Sequence, residues 1–275
     1  MNKFFIMNND IKYTSEYSLE EIEKQKGVYE VIRVINKTPL FADEHVQRLI
    51  HSANLINLNI NMTKSDIIRN ICKLSELNNI QEQNIKLLFT IEGYSYFFFI
   101  KSFYPDEEMT RKGIKTITYK VVRENPNVKF HNADLRASIN KALIKQEAYE
   151  ALLIDNQERV VEGSRSNIFF IQKNKLVTAP SAAVLMGITR SKVIKICNQL
   201  NINVVERNIL LNELSKFGGA FMTSTSNNIL PIRSIDDVIY VNFNGNLKQI
   251  MEEFKKEMNA DLEKMKCNCK RLVKE

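Results

Sequence analysis

A lysine and a glutamate in two polar turns are the first residues whose types suggest chemistry. Lys129 precedes an amphipathic helical pattern, and Glu162 follows a short apolar run at the start of a Gly163-Ser164 turn. A lysine amine attacks a carbonyl carbon when a buried, charged pocket tunes its pKa. Most single lysines and glutamates are solvated surface groups, so this pair indicates an active site only if further binding residues accompany it.

Two other segments have the pattern of anion-binding corners. Gly187-Ile188-Thr189-Arg190 opens a helical pattern, and Thr223-Ser224-Thr225-Ser226 ends an apolar strand pattern. The backbone N–H groups at a helix start have no partner within the helix and attract anions. We predict Thr189 as the N-cap of its helix.

These residues lie at the ends of elements that the hydrophobic pattern predicts. We predict strands over residues 4–7, 29–36, 86–91, 94–103, 114–122, 151–154, 168–171, 175–177, 204–205 and 220–222. We predict helices from residue 43, over 64–78, after Lys129, from 189, over 212–217 and from 247. A two-residue hairpin turn is expected at Glu92-Gly93. A break near residues 118–124 divides this pattern into two α+β domains.

Four motifs, taken in order, resemble those of the class IV aminotransferases. They are Lys129-x-x-Asn132, Glu162-Gly163-Ser164-x-Ser166-Asn167, Gly187-Ile188-Thr189-Arg190 and Thr223-Ser224-Thr225, and residues 29–34 and 44–49 extend the likeness. The family comprises fold-type IV pyridoxal-phosphate enzymes: branched-chain aminotransferases, D-amino-acid aminotransferases and aminodeoxychorismate lyases. The resemblance covers about residues 27–236, which is most of the chain.

The resemblance implies a two-domain α+β fold. It predicts a small α/β domain over residues 1–120 and a larger, β-barrel-like α+β domain over residues 121–275 that ends in a C-terminal helix. The cofactor would be pyridoxal 5'-phosphate, and the substrates an α-amino acid and a 2-oxo acid. A homodimer is expected, because in this family the neighbouring subunit generally contributes to each site.

The resemblance also assigns roles to the cofactor-binding residues. Lys129 would be the catalytic lysine that forms the Schiff base, and Glu162 would face the pyridine nitrogen of the cofactor. The phosphate would be bound by backbone N–H groups of Ile188 and Thr189, by Thr225 and Ser224, and by Arg48.

The substrate side leaves alternatives open. Tyr29 matches the aromatic residue that lines the family site, and strand alternation places Arg33 on the same face. Arg33 and Arg165 are candidates to bind a substrate carboxylate, with structural or surface ion pairs as the alternative for each. The hairpin at residues 90–96 lacks the arginines typical of the D-amino-acid enzymes and the lyases, so the substrate stays open.

Three functions are therefore compared. The first is transamination between an α-amino acid and a 2-oxo acid, and the second is a lyase that releases pyruvate with the same cofactor and lysine. The third is a non-catalytic cofactor-binding homologue. An alternative alignment, which places Asp134 at the lysine position, would support this third function, but it requires a gap that alignment on Lys129 avoids.

Composition narrows the class of protein. The chain has 275 residues, 44% hydrophobic and 26% charged, which is ordinary for a globular protein. Neither a bilayer-spanning run nor a signal peptide is evident, so a cytoplasmic enzyme without a membrane partner is expected. The net charge of +7 comes from scattered basic residues, so no nucleic-acid partner is expected.

The four cysteines are too sparse to suggest a disulfide framework. Cys267 and Cys269 lie close to the C-terminus without other cysteines or histidines nearby. Because metal sites need more ligands than this pair supplies, we expect no metal site and a frayed terminus here.

Overall fold

The computed structural model describes residues 2–121, 126–240 and 245–272. The chain forms two compact units, each of which is discontinuous in sequence. The first contains the chain up to Phe103, Val128–Ala133 and the chain from Lys256 onward. The second contains Tyr104–Asn127 and Asp134–Lys255. Lys129 thus belongs to the first unit, and Glu162 to the second.

The first unit is a six-stranded sheet with two long helices packed against it. Its elements are β1 (Phe4–Met7), β2 (Asp10–Tyr13), α1 (Leu19–Lys24), β3 (Gly27–Ile35), β4 (Thr38–Pro39), α2 (Ala42–Leu55), α3 (Lys64–Leu77), β5 (Glu82–Thr90) and β6 (Ser95–Ile100). The strand order is β2-β1-β6-β5-β3-β4. A short 3-10 helix, Thr14–Glu16, lies between β2 and α1.

Strand β3 alternates between two environments, as a half-buried strand should. Val28, Glu30, Ile32 and Val34 are fully buried, whereas the residues between them are partly exposed. The apolar members of the buried set belong to the core that α2 and α3 complete. This alternation places Tyr29 and Arg33 on the opposite face, as predicted.

The two helices begin by different means. At α3, Thr63 and Asp66 form a capping box, with Thr63 Oγ1 accepting the Asp66 N–H at 3.1 Å, as expected for a Thr-x-x-Asp start. At α2, the N-cap Phe41 is left-handed with φ of 51° and has no side-chain cap. Its N–H instead donates to Asp261 Oδ2 at 2.6 Å, so the C-terminal helix anchors the start of α2.

The second unit is built around a nine-stranded sheet that curls into a half-barrel. Its elements are α4 (Glu107–Lys112), β7 (Ile114–Lys120), α5 (Ala133–Lys145), β8 (Glu150–Ile154), β9 (Val160–Gly163), β10 (Asn167–Gln172), β11 (Lys175–Thr178), α6 (Ile188–Gln199), β12 (Asn203–Glu206), β13 (Gly219–Ser224), β14 (Asn228–Ile235), β15 (Val238–Ile239) and the first part of α7 (Gly245–Leu272). The strand order is β12-β11-β10-β13-β14-β7-β8-β9, with β15 paired to β14.

The order of this sheet brings the predicted functional segments to strand ends. β10 pairs antiparallel with β13, so that Asn167 lies opposite Thr223. β8 pairs with β9, with Leu152 opposite Gly163. Stacked rings of Phe169 and Phe221, with centroids 5.1 Å apart, help to fix β10 against β13. Both fold-level predictions, mixed α+β and barrel-like curvature, are confirmed.

Several local predictions are wrong. Thr189 is not the N-cap of α6: that position is Gly187, and Thr189 lies inside the first turn. The segment predicted as a helix over 212–217 is a 3-10 helix, Leu211–Lys216. The β5–β6 connection is longer than two residues, because the Thr90 N–H bonds to Tyr94 O and Gly93 takes a positive φ of 89°. Strands β2, β4, β14 and β15 and helices α1 and α4 were not predicted. Val122, where the predicted strand 114–122 ends, lies outside the described residues.

The cysteine prediction is also wrong. Cys72 in α3 and Cys269 in α7 form a disulfide, while Cys197 and Cys267 are free. The C-terminus is not frayed up to residue 272, since α7 continues to Leu272. The end of α7 is ordered because it is buried: Met265 and Leu272 are 1% and 5% exposed in the core of the first unit.

Over the described residues, no helix is both long and apolar enough to cross a lipid bilayer.

The disulfide should stabilise the docked C-terminal helix. Its cysteines are 197 residues apart, and closing a long loop lowers the entropy of the unfolded chain. We expect a Cys72→Ser, Cys269→Ser double variant to lose roughly 2–5 kcal/mol of unfolding free energy, measured by chemical denaturation. Dithiothreitol should destabilise the parent protein similarly and leave the double variant unchanged. The matched control is Cys267→Ser, which should behave like the parent. Equal stability of all three proteins would contradict the prediction.

Candidate functional site

In the first unit, Lys129 lies against the start of strand β3. The Tyr29 N–H donates to Lys129 O at 3.0 Å, and Val28 forms a β-bridge with Phe130. The Lys129 N–H lies 3.3 Å from Ser52 Oγ on α2. These contacts fix the backbone of the lysine from two sides.

The Lys129 side chain extends over an aromatic ring. Its Nζ lies 4.8 Å from the centroid of the Tyr29 ring, within the range of a cation–π contact. The His131 ring packs on Tyr29 edge to face, with centroids 5.5 Å apart. The structure therefore brings together two residues, Tyr29 and Lys129, that the sequence predicted for one site.

A second lysine approaches the same ring. Lys86 Nζ lies 5.4 Å from the centroid of the Tyr29 ring and 3.0 Å from Glu23 Oε1, and the residue is 4% exposed. Lys86 was not predicted, although a lysine between the apolar residues Ile85 and Leu87 of a central strand is a usable signal.

In the same unit, the Arg48 guanidinium is held by the fully buried carboxylate of Glu30. Arg48 Nε donates to Glu30 Oε2 at 2.8 Å, and Nη2 donates to Oε1 at 2.7 Å. This forked geometry is the strong form of a carboxylate–guanidinium pair. His45 Nδ1 is 3.2 Å from Glu30 Oε1, a contact that falls outside hydrogen-bond geometry. Arg48 was predicted, whereas Glu30 and His45 were missed.

The electrostatics of this cluster follow from its burial. Burial by itself raises the pKa of the Glu30 carboxyl, but Arg48, then His45 and Lys129, more than offset it and hold that pKa well below its usual value. Burial lowers the pKa of His45, against the pull of Glu30. Glu30 is therefore ionised near pH 7 and is held by the Arg48 guanidinium.

The other predicted arginine of β3 is in an ion pair. Arg33 Nε donates to Glu82 Oε1 at 2.9 Å, and its Nη2 also contacts that oxygen. Glu82 is the cross-strand partner of Ile35, the residue two positions after Arg33. This is the structural alternative that the sequence left open.

In the second unit, Glu162 is buried and tied to the segment before α6. Glu162, 3% exposed, accepts the Leu185 N–H at 3.0 Å and the Asn167 Nδ2 at 3.4 Å on Oε2. Asn167 Nδ2 also donates to Leu185 O at 2.8 Å. Asn167, which was not among the predicted site residues, thus positions the acid and residue 185 together.

The start of α6 has the features of an anion site. Its N-cap, Gly187, supplies no side chain, and a Cβ there would meet Asn167 Oδ1 at 2.1 Å. No side chain in the described chain caps this helix start, so the N–H groups of Ile188 and Thr189 suit an external acceptor. The next residue, Arg190, is 1% exposed, and its Nε has no partner among the described residues.

The second predicted corner follows strand β13. Ser224 ends β13, and its Oγ accepts the Asn227 N–H at 3.2 Å. Thr225 lies in the turn between β13 and β14. Next to them, Thr223 Oγ1 is buried without a partner in the described part of the chain. A buried hydroxyl of this kind normally finds an acceptor or donor.

The turn after Glu162 presents Arg165. The side chain of Arg165 is exposed, and its backbone N–H lies 3.3 Å from Glu150 Oε2. Glu150, which was also not among the predicted site residues, is 1% exposed. Asp134, the residue of the alternative alignment, lies in the first turn of α5, where a carboxylate offsets the helix dipole.

Glu162 also lies in the wall of a cleft in the second unit. The cleft has a volume of about 300 Å³, and Val121, Pro126, Arg159 and Ala183 line it with Glu162. This volume is at the lower end of the range for small-molecule sites.

Comparisons with known proteins give a consistent result. The family model for class IV aminotransferases matches residues 27–235. A D-alanine aminotransferase of Bacillus licheniformis is 29% identical over 76% of this chain and 79% of its own. A probable branched-chain-amino-acid aminotransferase of Thermotoga maritima is 31% identical over 81% and 82%, and a putative one of Methanocaldococcus jannaschii is 32% identical over 83% and 86%.

Solved structures show the same fold. A putative branched-chain aminotransferase of Thermotoga maritima superposes with a TM-score of 0.81 at 24% identity, covering 93% of this chain and 96% of that one. A branched-chain amino acid aminotransferase of Escherichia coli gives a TM-score of 0.83 at 20% identity, with coverage of 94% and 95%.

The buried Glu30 should dominate the acid sensitivity of the first unit. Because its pKa is lowered on folding, its ion pair stabilises the protein above the ordinary value of 4.5, and this stability is lost as the pH falls below that value. Glu30→Gln should lower the unfolding free energy at pH 7 by about 3–5 kcal/mol and flatten its dependence on pH in acid.

The matched control is Glu82→Gln, which removes a partly exposed ion pair of the same sheet and should cost at most about 1 kcal/mol. Denaturant titrations at a series of pH values give both quantities. If the two variants lose equal stability, the buried cluster has no special role.

Proposed function

We propose that Lys129 is the catalytic lysine of this chain, which belongs to the class IV aminotransferases. The chain is an enzyme of pyridoxal-phosphate-dependent transamination between an α-amino acid and a 2-oxo acid. The position of the Lys129 amine over Tyr29, in the segment that pairs with β3, is the observation that supports this role.

Features of both units fit pyridoxal phosphate. The start of α6 has N–H donors and no side-chain cap, which suits a phosphate. The buried hydroxyl of Thr223 lacks a partner among the described residues, and Glu162 provides a buried carboxylate. When bound, the cofactor supplies an electron sink for the bond changes at the substrate Cα.

Lys129 would move the proton at the substrate Cα. Its Nζ is a suitable base when unprotonated, and proton transfer requires it to lie within hydrogen-bond reach of the Cα proton. The backbone contacts with Tyr29 and Ser52 would hold the lysine in place while its side chain moves. The Tyr29 ring would support the amine and line the substrate site.

Glu162 would hold a proton on the pyridine nitrogen of the cofactor. Its Oε2 already accepts the Leu185 N–H, so the orientation of its carboxylate is set before any ligand binds. We assign phosphate binding to the N–H groups of Ile188 and Thr189, to Ser224 and Thr225, and to Arg48. The Glu30 fork would fix the direction of the Arg48 guanidinium.

For the substrate we propose a small α-amino acid, with Tyr29 and Arg165 on the binding surface. The relatives named for D-alanine and for branched-chain amino acids make these two groups the first donors to test. Arg33 is the weaker candidate for carboxylate binding, because Glu82 already occupies its guanidinium. We further propose a homodimer in the cytoplasm.

The reaction can be tested with pools of L- and D-amino acids, each offered with 2-oxoglutarate as the amino acceptor. We expect formation of the donor's 2-oxo acid and of glutamate in equal amounts, by chromatography. A lyase would instead release pyruvate from an aminodeoxychorismate substrate without an acceptor, and this outcome would replace the transamination assignment.

Glu162→Gln tests the role of the acid in the same assay. We expect kcat to fall by about 10²-fold or more, since a neutral amide does not hold the proton, with much less change in cofactor affinity by absorbance titration. The matched control is Glu158→Gln, an exposed glutamate of the same unit that pairs with Lys120. Full turnover by Glu162→Gln would contradict the assigned role.

A further inference from the structure

We infer that Glu150 is a positioning residue whose buried carboxylate fixes the turn of residues 163–167, so that Arg165 presents its guanidinium to the substrate carboxylate. This inference rests on the proposed function, in which Arg165 lies on the substrate surface. By fixing this turn, Glu150 would make Arg165 a defined binding residue instead of a mobile surface arginine.

Glu150 accepts hydrogen bonds from three successive residues of the turn. On Oε1 it accepts from Ser164 Oγ at 2.6 Å, and on Oε2 from Ser166 Oγ at 3.1 Å and from the Arg165 N–H at 3.3 Å. The Ala151 N–H adds a fourth donor at 2.9 Å on Oε1. A buried carboxylate is stabilised only by such donors, so the acid and the turn hold each other.

Two further groups restrict the same turn. Arg136 of α5 donates from Nη1 to Ser164 Oγ at 3.0 Å and from Nη2 to Ser164 O at 2.7 Å. At Gly163, a Cβ would meet Ser166 Oγ at 2.0 Å, so the serine hydroxyl packs directly on the glycine. The backbone on both sides of Arg165 is therefore fixed.

The consequence for Arg165 is an outward-facing charge. The serines on either side of it direct their hydroxyls to Glu150, while the Arg165 side chain is exposed. In the residues that the structure describes, no carboxylate pairs with its guanidinium. A cation on a rigid turn without an internal counterion suits a ligand carboxylate, which a guanidinium binds through two parallel hydrogen bonds.

Tyr149 borders this charge and does not neutralise it. Its Oη donates to Asn227 Oδ1 at 2.7 Å. Burial raises the pKa of Tyr149 to about 12, with Arg165 acting in the opposite direction. The phenol therefore stays neutral at physiological pH and is not a counterion for Arg165.

The substitution Glu150→Gln tests whether Glu150 acts through Arg165 or has a purely structural role. The amide keeps the size of the side chain but replaces one acceptor oxygen with an NH₂ group, which faces donors instead of acceptors. The Arg165 and Ala151 N–H groups cannot reverse their polarity, so the turn must shift. If Glu150 acts through Arg165, the loss should disappear once Arg165 itself is removed.

The experiment is a double-mutant cycle of the holoenzyme with Glu150→Gln, Arg165→Met and the double variant. We expect each single variant to raise the KM of the amino donor at least about tenfold with kcat within about threefold, and the double variant to be no worse than Arg165→Met. Glu158→Gln is the control with unchanged kinetics. Losses that add in the double variant, or a fall in kcat alone, would show a purely structural role and overturn the inference.

Binding of propionate provides a second readout that needs no turnover, because this carboxylate has no amino group. By calorimetry, we expect Glu150→Gln and Arg165→Met each to weaken propionate binding about tenfold. Absent transamination in the parent protein would refute the proposed function alone, whereas equal propionate affinity in all variants would refute the role of Glu150.

A milder variant covers the case in which Glu150→Gln does not fold. Ser164→Ala with Ser166→Ala removes two donors and leaves the carboxylate in place. It should raise the KM in the presence of Arg165 and leave the KM of Arg165→Met unchanged. A KM increase in both backgrounds would again overturn the inference.

Discussion

A buried carboxylate requires hydrogen-bond donors, and this requirement determines which segments are held together within each unit. Three glutamates of the described chain, Glu30, Glu150 and Glu162, are at most 3% exposed. An unpaired charge in such a place costs several kcal/mol. Each acid is instead satisfied by groups from other segments, and those segments carry the residues proposed for function.

Two of these acids, Glu30 and Glu162, act at different points of the fold. Glu30 holds Arg48 of α2 against β3, and β3 in turn holds the backbone of Lys129 through Tyr29. Glu162 accepts the N–H of residue 185 just before the start of α6, where we propose that the phosphate binds. In pyridoxal-phosphate enzymes the cofactor carries the difficult chemistry, and the protein supplies binding, orientation and charge. Buried acids that orient cations and N–H groups serve that division of work.

The sequence predicted the parts of the fold that depend on local pattern. The alternation of β3 and the extent of α3 follow from residues that are neighbours in sequence. Lys129, Glu162 and the start of α6 were found because their motifs resemble those of a known family, and the family assignment is confirmed. Their individual roles stay predictions.

Contacts between distant segments were beyond the reach of the sequence. Glu30 was placed in a strand and Glu150 was not singled out, because nothing local shows that their partners lie 18 and 14 positions away. The disulfide of Cys72 with Cys269 spans 197 positions, and spacing alone does not reveal such a pair. The need for a glycine at position 187 was also not visible in the sequence, because it depends on the space taken by the Asn167 side chain.

The identity of the catalytic lysine is the central claim, and one labelling measurement tests it directly. The protein is incubated with pyridoxal phosphate, reduced with borohydride and digested, and the modified lysine is located by peptide mass spectrometry. We expect the label on Lys129, with Lys141 and Lys145 of the following helix unmodified, and no specific label in Lys129→Ala. A stoichiometric label on another lysine, or no label on the parent protein, would contradict the account.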